Sequence, residues 1–232
     1  MEPVFVLLHS LALGPASWRP VAGELRAAGY QARVPSLIHA VAGGGEPPFW
    51  PAVVSAVRED LGAVPADRRV VLVAHSNAGR LLPVIRAGLD HPVSGSVFVD
   101  AALPARAGQT PATLPGNLES LRRKTVNGRL PRWTDWWDET DIAPLFPDPA
   151  TRQAVVSEQP ELPLAYYEQA IPVPDGWNDH RSSYLLFSAE GYGAEADEAR
   201  ERGWRVAHLP GEHLHQLIDP PGTARHLIDL AT

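Results

Sequence analysis

The 232 residues include no cysteine. That excludes a disulfide framework and any metal site built on thiolates, and it suits a reducing compartment. No run of Lys and Arg occurs, and the formal net charge is −7. A nucleic-acid surface needs a basic stripe, so the balance argues against that partner and reads as solubility. No apolar stretch approaches the roughly 18 residues that a membrane span needs. The opening Met1-Glu2-Pro3 has no basic leader, and VFVLL is too short for a signal peptide. The expectation is a cytoplasmic protein that meets neither membrane nor nucleic acid. Internal repeats are also missing.

What remains is an ordinary globular composition, 44% hydrophobic and 20% charged. Its length suits one domain with an inserted subdomain. Short apolar runs alternate with amphipathic stretches. Strands are expected at 5–8, 31–34, 70–74, 96–99, 184–187 and 205–209, and helices at 18–28, 49–61, 81–89, 194–202 and 225–230. HAVAGGGEPP reads as loop from its Gly and Pro content. Strands that are apolar throughout and separated by helices imply a parallel sheet covered on both faces. The expected fold is α/β: a doubly wound, mostly parallel six-stranded sheet. Ligands bind beyond the C-terminal strand ends in such sheets.

The alternation breaks between Pro104 and His180, where the chain is rich in Pro, Trp and charge, as in RLPRWTDWWDE. A structureless loop of that length is uncommon. Segment 104–180 is therefore expected as a helical cap, with helices near 118–126 and 149–158, inserted into a core of 1–103 and 181–232.

The chemistry-bearing stretch is VVLVAHSNAGR, residues 70–80. It sets Ser76 on a sharp turn between a strand and a helix, which pushes the side chain out above the sheet. Bulky neighbours would clash there, and Ala74, Ala78 and Gly79 are small. The backbone N–H of Asn77 then points where an oxyanion forms. The plainer reading of Ser76 is a helix N-cap. A serine nucleophile needs a base. After the last strand, PGEHLHQLIDP offers His213, preferred for its place in the loop, and His215 as its rival.

The order of strand, Ser76, helix, insertion and late His213 resembles the α/β-hydrolase superfamily over nearly the whole chain. FVLLHSLALGPASWRPVAGELRAAGY, VFVDAALP and GEHLHQLIDP resemble the plant methyl esterase and hydroxynitrile lyase branch. The elbow departs from G-x-S-x-G, with Ala74 and Ala78 at the glycine places. By resemblance, the Leu11 N–H completes the oxyanion hole and Ser10 meets the substrate oxygen. Hydroxynitrile lyases also use a lysine directly after the histidine, where this chain has Leu214.

A histidine base needs a carboxylate to fix its tautomer. Asp100 follows one strand and Glu190 a later one. The superfamily favours the later position, some relatives the earlier. Asp100 is preferred, with Glu190 as the alternative. The expected function is a cofactor-independent serine hydrolase of a small or medium apolar ester, thioester or lactone, with Trp133, Trp136 and Trp137 as candidate pocket walls. The alternatives are a lyase or cyclase using the same pocket, or a member that binds ligands without chemistry. No metal spacing occurs among the histidines. A small molecule is the expected partner, bound by a monomer or homodimer.

Overall fold

The apolar runs become a parallel sheet because the central ones, Val4–Leu8 and Val70–Ala74, bury every residue in a core on one face or the other. The computed structural model describes residues 2–231. Its first half comprises β1 (Val4–Leu8), α1 (Arg19–Ala27), β2 (Gln31–Arg33), α2 (Ile38–Ala42), α3 (Trp50–Leu61), β3 (Val70–Ser76), α4 (Leu82–Gly88) and β4 (Val93–Ala101). Then come β5 (Gly108–Pro111), α5 (Pro115–Lys124), α6 (Glu139–Ile142), α7 (Pro149–Glu158), α8 (Leu164–Glu168) and β6 (Ala170–Val173). The chain closes with β7 (Ser182–Leu186), α9 (Ala189–Glu201), β8 (Arg205–His208), α10 (His215–Ile218) and α11 (Pro220–Ala231).

Six strands form one sheet in the order β2-β1-β3-β4-β7-β8, and every pairing in it is parallel. Side chains alternate along each strand. Val4, Val6 and Leu8 of β1, with Val70, Leu72 and Ala74 of β3, join a core with Val53, Val57 and Leu61 of α3. Phe5 and Leu7, with Val71 and Val73, meet Val21 and Leu25 of α1 and Leu227 of α11 on the opposite face. The fold class is the one expected.

The sheet positions a site by its connectivity. From β1 the chain steps to β2 on one side and to β3 on the other. The direction of winding reverses between β1 and β3, which opens a crevice beyond their C-terminal ends. The loop His9-Ser10-Leu11 and the turn at Ser76 both start there.

Several boundaries differ from expectation. The first part of HAVAGGGEPP is helical as the end of α2, which stops at Gly43. α9 begins at Ala189 rather than 194 and is kinked at Tyr192. α11 begins at Pro220, where a missing N–H costs nothing in a first helical turn. β5 and β6, an antiparallel pair outside the main sheet, carry Pro111 and Pro172 and gave no strand pattern. Leu214 and Leu217 pack with Leu13, Ile142, Leu145 and Val155, joining the loops after β8 and β1 to the segment between β4 and β7. Among the described residues, no helix is long and apolar enough to cross a membrane.

Candidate active site

Ser76 ends β3 with φ 58° and ψ −131°. Residues with a Cβ rarely adopt such a backbone, and it costs on the order of 1–3 kcal/mol. The side chain makes no capping bond to the 3₁₀ helix Asn77–Leu81 that follows, so the N-cap explanation does not account for it. The turn is tight. A Cβ on Gly79 would lie 2.3 Å from the Ala102 carbonyl oxygen and 3.1 Å from the Phe98 ring. Backbone cannot yield cheaply, so Gly79→Ala is expected to lower stability by about 1–3 kcal/mol, read as a lower urea midpoint.

β4 supplies the carboxylate through an irregularity. His75 pairs with Val99 but Ser76 pairs with Ala101, so Asp100 is an extra residue, and it has φ 42°. Such a bulge re-aims a side chain at a strand end. Tyr184 clamps it: its hydroxyl accepts from the Ala101 N–H and donates to the Ala101 carbonyl, both at 2.9 Å. Asp100 is fully buried. Its Oδ1 accepts the N–H groups of Phe187 and Ser188 at 2.9 Å, and its Oδ2 accepts the Ser188 hydroxyl at 2.6 Å. Burial alone would raise this carboxyl. The hydrogen bonds from His213, Ser188 and Phe187 outweigh it and hold Asp100 below the ordinary carboxylate range.

His213 bridges the two. Its Nδ1–H donates to Asp100 Oδ2 at 2.8 Å, which leaves Nε2 bare to accept the Ser76 hydroxyl at 3.1 Å. The ionised carboxylate cannot donate, and this fixes the tautomer. Tyr192 stacks on the imidazole, with centroids 4.9 Å apart and planes within 5°, and its hydroxyl is 3.4 Å from Ser76 Oγ. Burial pushes the Tyr192 phenol up to about 12, so it stays protonated at neutral pH.

Two neutral histidines brace these parts. His75 donates its Nε2–H to the His213 carbonyl at 2.9 Å. His9 donates Nδ1–H to the Ser10 carbonyl at 2.7 Å and accepts the Leu37 N–H at 3.0 Å. Leu13 N–H also donates to the Ser10 carbonyl, at 2.9 Å. The Ser10–Leu11 peptide is thereby pinned, and its N–H points opposite to that carbonyl. Burial lowers the two rings, His9 to about 4 and His75 to about 3. Unfolded histidine protonates near pH 6.5, so between about 6.5 and 4 the unfolded chain binds more protons. Stability is therefore expected to fall as pH drops through that window, by about 1.4 kcal/mol per pH unit for each ring. Urea midpoints across pH 4–7 measure this; a flat profile would mean that the rings are not held neutral.

Ser76, Ser10 and Asn77 face a cavity of about 400 Å³ walled by Trp133, Trp136 and Trp137. His213 borders a second cavity of about 350 Å³, with Trp133, Trp137 and Tyr192 shared between the two. Leu11 is fully buried in the main core and lines neither cavity. The Asn77 side chain ties the elbow to the segment beyond β4, donating to the Ala112 carbonyl at 2.8 Å and accepting from the Tyr166 hydroxyl.

Asp100 therefore takes the His213 Nδ1–H, and the alternative carboxylate is not its partner: Glu190 lies exposed on the first turn of α9, at the rim of the second cavity. His215 faces the Phe187 ring, with centroids 5.5 Å apart, while His213 holds Ser76. Sequence reasoning missed Tyr184, Ser188 and Tyr192, which no local motif marks. Among the described residues, no group of three or more His, Asp or Glu is arranged to hold a metal ion.

No protein-family model matches the chain, and no curated protein matches it by sequence. Solved structures do match. An extracellular α/β-hydrolase from a Paenibacillus species, described as sharing structural and functional homology with tobacco salicylic acid binding protein 2, superposes with a TM-score of 0.74 at 18% identity over 99% of each chain. Polyneuridine aldehyde esterase gives 0.75 at 16% identity over 100% of both chains. A tomato methylketone synthase I variant complexed with β-ketoheptanoate gives 0.76 at 14% identity, covering 100% of this chain and 98% of that one. The chain thus has the α/β-hydrolase fold. The three names differ in chemistry, so the fold alone does not assign a reaction.

Proposed function

We propose that the protein is a serine hydrolase that cleaves a small or medium ester, thioester or lactone through an acyl-enzyme. One observation carries this reading: the continuous hydrogen-bonded path from the Ser76 hydroxyl through His213 to buried Asp100, at 3.1 and 2.8 Å. Ser76 attacks the carbonyl carbon while His213 Nε2 takes its proton. His213 then returns that proton to the leaving oxygen or sulfur, and a water activated by His213 cleaves the acyl-enzyme. Asp100 holds the imidazole and stabilises its cation.

The N–H of Asn77 heads the 3₁₀ helix, whose first donors have no intrahelical partner, and with the N–H of Leu11 it receives the oxyanion. Ser10 contacts the substrate oxygen. Segment 104–180 serves as the cap, and its tryptophans support an apolar lining. The test is intact-protein mass spectrometry after a fluorophosphonate probe. Stoichiometric modification at Ser76 is expected. A folded protein that never labels would favour a lyase or cyclase, in which the hydroxyls of Ser10 and Tyr192 orient substrate and no covalent intermediate forms.

A further inference from the structure

Arg122, Arg123 and Lys124 close α5 as three consecutive cations, but they are not treated alike. Arg122 reaches Glu168 at 2.9 Å, and Arg123 lies 3.8 Å from Glu119, both pairs being well exposed. Lys124 turns the other way. It is half-buried and lines the cavity that holds Ser76, and its Nζ donates to the Trp136 carbonyl at 2.8 Å. That contact occupies one of three ammonium donors and supplies no counter-charge. No carboxylate lines this cavity among the described residues. Asn117, Ser120, Leu121 and Lys124 recur at i, i+3, i+4 and i+7, so one face of α5 presents three polar side chains to the cavity that Ser76 also lines.

The second cavity has the opposite character. Asp141, Glu190 and Glu212 border it, and His213 is its only basic neighbour among the described residues. An anionic ligand would thus meet a cation in the cavity that Ser76 lines and three carboxylates in the cavity that His213 borders. A half-buried ammonium without a counter-ion gains most from an anion that brings its own charge and acceptors.

We propose that the α5 side of the site selects substrates carrying an anionic group, a carboxylate or its equivalent, held by Lys124 with Asn117 and Ser120, so that the scissile carbonyl falls at Ser76. The inference rests on the hydrolase reading for the bond broken, but not for the charge preference. The test therefore reads binding. In the Ser76→Ala protein, tryptophan fluorescence is titrated with monomethyl adipate, methyl heptanoate and methyl 6-aminohexanoate, which present an anionic, a neutral and a cationic end. The anion is expected to bind about tenfold or more tighter than the neutral ester, with the cation weakest.

Lys124→Met is expected to collapse that ratio to near one and Lys124→Arg to retain it, while Arg225→Met, on the exposed face of α11, leaves it unchanged. Equal affinities across the series, or no binding of any probe at millimolar concentration, would overturn the proposal without recourse to a Lys124 variant. So would a ratio that survives Lys124→Met, which would leave Lys124 as a tether for the Trp136 loop. A preserved charge preference in a protein that never labels with a fluorophosphonate would defeat the proposed function alone.

Discussion

Replacing Ser76 with alanine is expected to lower kcat/KM toward activated esters by about 10⁴–10⁶-fold and to abolish fluorophosphonate labelling. The magnitude follows from removing the atom that forms the covalent bond, while the N–H donors and the aromatic walls stay in place. Loss of folding would not account for the effect, because the hydroxyl caps no helix. Its backbone, at φ 58° and ψ −131°, is better suited to a residue without a Cβ. Ser76→Gly is accordingly expected to be equally inactive yet more stable, by about 1 kcal/mol, once the strain is relieved. A glycine variant less stable than the parent would argue that the serine is there for structure. An alanine variant with full activity would end the covalent mechanism.

The second large effect separates two carboxylates. Asp100→Asn is expected to reduce kcat by about 10⁴-fold, because the amide can donate to Nδ1 and so favours the wrong imidazole tautomer. Glu190→Gln, at the exposed rim, is expected to change kcat by less than about threefold. Measured side by side on one ester, the pair identifies the residue that orients His213. Comparable losses in both would mean that the loop after β7 closes onto the histidine during turnover and that Asp100 does not act alone. The asparagine variant also tests the buried network, since the amide NH₂ replaces an acceptor now facing the Ser188 hydroxyl or two backbone N–H groups. Some loss of stability should accompany the loss of rate.

These two residues also mark how far the chain could be read without coordinates. Ser76 was legible because its requirements are local: an apolar strand on one side, small residues two and three positions away, and a helix after it. The parallel sheet was legible for the same reason, since strands buried on both faces must be apolar throughout. His213 followed from its place beyond the last strand. Its rival His215 was harder to dismiss, because two residues of separation in a loop say nothing about which ring turns toward the serine.

The carboxylate was not decided locally. Asp100 and Glu190 each follow a strand, and nothing in VFVDAALP announces that one residue is extruded from the ladder. That extrusion depends on the register of β4 against β3 and on a tyrosine from β7 that grips the bulge from the other side, partners far apart in sequence. Tyr192 depends likewise on a kink in α9 that places its ring against His213. The order of residues along the chain by itself determined the fold class, the sharp turn at Ser76 and the loop that carries His213, because each is set by short-range pattern and chain geometry. Tertiary structure alone brought Asp100 rather than Glu190 to His213, roofed the imidazole and turned one cation of α5 inward, because those outcomes depend on which distant strands and helices come to share a wall.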